Sequence, residues 1–137
     1  MPGSLAGIRI AIIEDDASLR ESLSIFLRVK GFRVETFGSA EEAVDAAKPG
    51  RFDIVISDYL LPGEDGLSLL CRVREGSGGA GTVLITAHMR EAVRNGARAA
   101  GIDNFLLKPF STDELEAALR RIVESGRTES EGIAGIA

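Results

Sequence analysis

The sequence predicts an α/β fold: a doubly wound parallel sheet of five strands with helices on both faces, (βα)5 in a three-layer sandwich. Three observations predict it. Short apolar segments alternate five times with helical patterns. The apolar segments are nearly continuous, as suits a sheet covered on both faces. The residues able to do chemistry fall just after those segments, where ligands bind in such sheets.

The first strand is expected over Ile8–Ile13. Asp16 is placed to cap the helix that follows. Leu19, Leu23, Phe26 and Leu27 put one apolar stripe on that helix, and Gly31 after Lys30 marks its stop. Arg33–Thr36 reads as the second strand, and Ser39-Ala-Glu-Glu as the capping-box start of a second helix. The third strand, Ile54–Ser57, leads to a helical pattern in which Cys71, beside Leu69 and Leu70, is expected as a core thiol. Thr82–Thr86 is the fourth strand. The helix after it carries Arg90, Arg94 and Arg98 at i, i+4, i+8 and stops at Gly101. Phe105–Leu107 is the fifth strand, and Ser111-Thr-Asp-Glu opens a fifth helix with a stripe of Leu115, Leu119, Ile122 and Val123. Right-handed crossovers and five strands suit the order 2-1-3-4-5. One domain is expected over residues 8–125, with tails at 1–7 and 126–137.

Composition narrows the function. The chain of 137 residues is 45% apolar, enough for one core. No apolar run approaches the roughly 18–20 residues of a membrane span, and the first residues lack the basic start and apolar stretch of a signal peptide. A cytoplasmic chain without membrane contact is expected. One cysteine and one histidine argue against a disulfide or a zinc site. A net charge of −5 argues against nucleic acid as a direct partner.

The strand ends carry the chemistry. Glu14, Asp15 and Asp16 follow the first strand, Asp58 the third, Thr86-Ala-His88 the fourth and Lys108-Pro-Phe110 the fifth. In the expected order the first and third strands are neighbours, so at least three carboxylates meet. Crowded carboxylates call for a divalent metal or a proton. Mg²⁺ takes a few carboxylates, keeps waters and bridges to phosphate oxygens. With a hydroxyl and an ammonium nearby, the set suits phosphoryl transfer, and a carboxylate can serve as its nucleophile. Gly76-Ser-Gly-Gly-Ala-Gly81 satisfies G-x-G-x-x-G but follows a helix and precedes a strand, the reverse of a dinucleotide fingerprint, and is expected to be a flexible connection.

These residues resemble the receiver domain of bacterial two-component response regulators (CheY-like, with a flavodoxin-like fold). Ile-Ile-Glu-Asp-Asp (Ile12–Asp16) is similar to the family's acidic pair, Glu14 and Asp15 being the matching two. Asp58-Tyr-Leu-Leu-Pro-Gly-Glu-Asp-Gly66 resembles the phosphoacceptor strand end and turn. Thr86-Ala87 resembles the switch position and its small neighbour, and Lys108-Pro109-Phe110 the family's Lys-Pro-Phe. Asp58 follows Asp15 by 43 residues and Lys108 follows Thr86 by 22, spacings usual in that family.

The resemblance implies a signalling switch, not a metabolic enzyme: it catalyses only its own phosphorylation and dephosphorylation. Asp58 takes the phosphoryl group from a histidine kinase or a histidine phosphotransfer protein. Mg²⁺ or Mn²⁺ is held by Asp15, Asp58, Glu14 and the Leu60 main-chain carbonyl. Lys108 and Thr86 contact the phosphoryl oxygens, and Phe105 turns inward as Thr86 moves. Leu60 and His88 flank the site and modulate phosphoryl lifetime. The Lys108–Pro109 bond is expected to be cis. The fourth helix, fifth strand and fifth helix (α4-β5-α5 when all five helices are numbered) are expected to form the output face, for a protein target, for an attached output domain or for a homodimer. The arginine stripe is read there as a docking surface for an acidic partner or a second protomer. An aspartate-nucleophile phosphatase on a related fold carries a second acid two residues after its nucleophile, where this sequence has Leu60.

Overall fold

The computed structural model of the chain describes residues 6–44, 48–76 and 79–126. Five strands, β1 (Arg9–Ile13), β2 (Arg33–Phe37), β3 (Ile54–Asp58), β4 (Gly81–Thr86) and β5 (Asn104–Leu107), pair in parallel in the order β2-β1-β3-β4-β5. Order and sense match the expectation, and each strand lies within one residue of its expected bounds. Among the described residues there are four α-helices: α1 (Ala17–Val29), α2 (Gly66–Gly76), α3 (Glu91–Ala99) and α4 (Thr112–Glu124).

Successive strand residues point to opposite faces, which is why the central strands are apolar at nearly every position. Ile10, Ile12, Ile54, Ile56, Val83 and Ile85 face one side, where Leu23 and Leu27 of α1 and Leu115, Leu119 and Ile122 of α4 cover them. Ala11, Ile13, Val55 and Leu84 face the other side and meet Leu69, Leu70 and Val73 of α2 and Val93 and Ala97 of α3. The expected caps form. Asp16 accepts from the Leu19 N–H at 3.1 Å. Ser111 and Glu114 make a reciprocal capping box at 3.0 Å each. Gly31 (φ 101°) and Gly101 (φ 78°) follow the C-caps of α1 and α3 in the left-handed region, where a side chain would be strained.

Two expectations need correction. The second helix is not formed as an α-helix in the described residues 39–44. Ser39 does cap, accepting from the Glu42 N–H at 3.1 Å, but the turns after it mix i→i+3 and i→i+4 bonds. Its buried residues are Ala40 and Ala43, which bury little area to hold a regular helix. Residues 45–47 lie outside the described residues. Cys71 is only partly buried, because the inward stripe of α2 runs Gly66, Leu69, Leu70 and Val73 and leaves Cys71 to one side. Of the glycine-rich connection, residues 77–78 lie outside the described residues, as does the tail beyond 126. Gly76 closes α2 and Gly81 opens β4, so no helix follows that motif.

The sheet has two unlike edges. All five strands deliver their carboxyl ends to one edge, where the acids and Lys108 gather. The opposite edge is tied by carboxylates. Asp53, just before β3, accepts from the Arg9 backbone N–H at 2.9 Å and from its guanidinium at 3.1 and 3.0 Å. Asp103, just before β5, accepts from the Thr82 N–H at 2.9 Å and its hydroxyl at 3.1 Å.

Candidate functional site

Glu14 is the first residue past β1. Its N–H makes the last bond to β2, donating to the Phe37 carbonyl at 3.0 Å. Its side chain turns inward and is 1% exposed. Oε2 accepts from the Asp16 N–H at 3.1 Å. Asp15 is exposed. Asp58 is the last residue of β3, one place earlier in the chain geometry than a loop residue, and is buried. The next N–H, on Tyr59, donates to the Ile85 carbonyl at 2.7 Å and holds that strand end against β4.

Because β1 and β3 are neighbours, the ends come together. Carboxylate oxygens of Glu14, Asp15 and Asp58 all lie within 4.8 Å of one another. Lys108 reaches in from the end of β5. Its Nζ donates to Asp58 Oδ2 at 3.1 Å and stands 3.1 Å from Glu14 Oε1. The second approach is an ion pair by distance but not an aligned hydrogen bond, and Oε1 is a buried oxygen with no hydrogen-bond partner. Burial pushes the Glu14 carboxyl up to about 7. The Asp16 N–H pulls against this, the Asp58 charge adds to it, and Lys108 again opposes it. Burial pulls the Lys108 ammonium down, but Glu14 and Asp58 together outweigh it and hold Lys108 above the ordinary lysine value. One ammonium therefore faces two members of a cluster of three carboxylates. A buried oxygen without an aligned hydrogen bond and an all-carboxylate donor set fit a hard divalent cation.

The other expected residues are placed as follows. Thr86 ends β4 and is buried. Its hydroxyl accepts from the His88 N–H at 3.1 Å and donates to the His88 carbonyl at 3.2 Å, so here it serves its own loop. The His88 side chain is exposed. Phe105 is half-buried, packed with the α2–α3 side of the core. The Leu60 side chain is 65% exposed beside Asp58. The Lys108–Pro109 peptide is cis, as expected. Arg90, Arg94 and Arg98 are exposed, Arg90 as the N-cap of α3 and the other two on the helix itself.

Gly66 was legible only as a turn residue. In the structure it is the floor of the site. A Cβ there would stand 1.9 Å from the Asp58 carbonyl oxygen and 2.7 Å from Ser57 Oγ. Its N–H donates to the Tyr59 carbonyl at 2.7 Å, and Asp65 beside it caps α2 by accepting from the Ser68 N–H at 2.7 Å. The signal in the sequence was a glycine at the first position of a helix, where propensity disfavours it. The contact between Lys108 and Glu14 was likewise not foreseen, since the sequence paired Lys108 with phosphate alone.

Comparison with known proteins agrees with this geometry. The family described as "Response regulator receiver domain" matches residues 10–120. The chain is 33% identical over 124 residues to the transcriptional regulatory protein TcrA of Mycobacterium tuberculosis, covering 90% of this chain and 49% of that protein. It is 37% identical over 112 residues to the DNA-binding response regulator MtrA of Mycolicibacterium paratuberculosis, covering 82% and 49%. The chain thus spans about half the length of these curated relatives. In fold it is similar to a CheY-like receiver domain protein from Methanospirillum hungatei, with a TM-score of 0.83 at 22% identity over 88% of this chain and 96% of that one. No helix among the described residues is long and apolar enough to cross a membrane. A matched stretch that holds both the acidic triad and Lys108 leads to one conclusion: the chain belongs to the response regulator receiver domain family, the signalling-switch unit of two-component systems.

Proposed function

We propose that Asp58 is the phosphoacceptor of this switch. An Asp58 carboxylate oxygen forms the new bond to phosphorus as the phosphorus–nitrogen bond of a donor phosphohistidine breaks. The freed electron pair stays on the imidazole nitrogen, which takes a proton. The donor is a histidine kinase or a histidine phosphotransfer protein. The observation that carries this reading is Lys108 Nζ at 3.1 Å from Asp58 Oδ2, inside a carboxylate triad. The ammonium holds the nucleophilic carboxylate in place and is positioned to meet the negative charge that arrives with the phosphoryl group. Asp15 and Asp58, with Glu14 through water and the Leu60 main-chain carbonyl, are the residues that would hold Mg²⁺ or Mn²⁺. Such an ion supplies charge neutralisation for the phosphoryl oxygens.

Thr86 is the switch hydroxyl. To reach a phosphoryl oxygen it gives up its two contacts with the His88 backbone, which moves the loop after β4. Phe105 then fills the space inward. As a phenylalanine it brings no hydroxyl that must be satisfied there. Exposed Leu60 shields the phosphoryl group from water, and His88 tunes access from the other side. The surface formed by α3, β5 and α4, where Leu107 is 51% exposed and the arginines lie open, passes the change to a target protein, to an output domain or to a second protomer. DNA binding, which the description of MtrA includes, stays with that protein.

Incubation with acetyl phosphate, with and without Mg²⁺, tests the reading by intact mass. The expected result is a Mg²⁺-dependent gain of one phosphoryl group that is absent in Asp58→Asn. A wild-type chain that gains no mass overturns it.

A further inference from the structure

We infer that Arg20 is a positioning residue for the acidic loop: by holding the Glu14–Asp15 peptide it sets where Asp15 presents its carboxylate to a divalent cation. The inference rests on the phosphoacceptor reading above and extends it to a residue outside the triad.

Arg20 lies in the first turns of α1, six residues past Glu14. Its Nη1 donates to the Glu14 carbonyl oxygen at 2.7 Å. That carbonyl has special need of a donor. The Glu14 N–H makes the last bond to β2, and the carbonyl beyond it has no strand partner, although Glu14 is almost fully buried. A buried carbonyl without a partner is costly, and a guanidinium supplies a charge-assisted bond.

The consequence reaches Asp15 through covalent geometry. The peptide unit is planar, so fixing the Glu14 oxygen also fixes the Asp15 nitrogen and Cα. Among the described residues the Asp15 carboxylate makes no hydrogen bond or ion pair. Its backbone therefore sets the Cα from which the carboxylate rotamers reach toward Glu14 and Asp58. Arg20 has space for this because residue 38 is glycine. A Cβ on Gly38 would stand 3.3 Å from Arg20 Nη1 and 3.6 Å from Glu42 Oε2. Glu42 in turn accepts from the Gly38 N–H at 3.3 Å. Arg20 thus ties α1 to the end of β1 beside the turn after β2.

Charge and position predict opposite outcomes. Removing a positive charge near three carboxylates should, by electrostatics alone, tighten cation binding. Losing the peptide clamp should weaken it. The test is calorimetric titration of the whole chain with magnesium chloride, for wild type, Arg20→Met and Arg20→Lys. In parallel, acetyl phosphate labelling is followed against Mg²⁺ concentration. In Arg20→Met the Mg²⁺ dissociation constant should rise about 10-fold, and half-saturating Mg²⁺ for labelling should rise with it. The labelling rate at saturating Mg²⁺ should stay within about twofold of wild type. Arg20→Lys, which keeps a charged donor, should recover most of the affinity. If Arg20→Met does not fold, Arg20→Gln supplies the comparison. Unchanged or tighter Mg²⁺ binding in the variant, beside a wild type that binds and is labelled, overturns the positioning role alone. A wild type that neither binds Mg²⁺ nor is labelled overturns the phosphoacceptor reading and this inference with it.

Discussion

At Gly66 one methyl group decides whether β3 and α2 can both keep their places. The clash is with the backbone of Asp58, which cannot rotate away as a side-chain tip can. Gly66→Ala should cost about 2–3 kcal/mol, the upper range for overpacking, in urea unfolding. It should also slow labelling of Asp58 in the fraction that folds. A stability within about 0.5 kcal/mol of wild type would show that α2 slides freely past the site. The same residue shows what the sequence can and cannot convey. Asp58, Glu14, Asp15, Thr86 and Lys108 were legible because each is a chemically distinctive residue at a strand end. Gly66 was not, because the need for it comes from a close approach between segments that only the folded chain brings together. The pairing of Lys108 with Glu14 was hidden for the same reason: two residues 94 positions apart meet through strand order.

At the scale of the element, strands and caps were read well and one helix was not. A strand buried on both faces must be apolar throughout, and that demand is written locally. The capping boxes are local too. Ser111→Ala removes one half of the box at the start of α4 and should cost about 1 kcal/mol in thermal or urea unfolding. The loss should loosen the helix start next to Phe110 and leave the acidic triad unaffected, so Mg²⁺ affinity should hold. The segment after β2 has the same Ser-x-x-Glu pattern yet forms no α-helix in its described residues 39–44. A cap can begin a helix, but tertiary burial sustains it, and two alanines offer far less than the Leu115, Leu119 and Ile122 stripe of α4. Cys71 teaches a related point. Its neighbours Leu69 and Leu70 are both buried, yet a helix turns about 100° per residue and carries the next position off the inward stripe.

At the scale of the molecule, the proposed cation site should link cation binding to stability. At Mg²⁺ a hundredfold above its dissociation constant, binding stabilises the folded state by about 2.7 kcal/mol. For a chain of this length that is on the order of 10 °C in Tm. Differential scanning fluorimetry should show the rise in wild type and little of it in Asp15→Asn. An equal rise in both would place the cation away from the triad. The far edge of the sheet has no such dependence, since Asp53 and Asp103 already have their donors in Arg9 and Thr82. It is also the edge where β1 begins and where α4 finishes. Ile122 of α4 packs against Gly81 at the start of β4, and Arg121 donates to Asn104 at the start of β5. A fluorescent protein or affinity handle joined through a linker before Arg9 or after Gly126 would therefore sit at the opposite pole from Asp58. On the proposed reading, such a tag, tether or reporter should leave the pole that carries Asp58 open to a bulky phosphodonor.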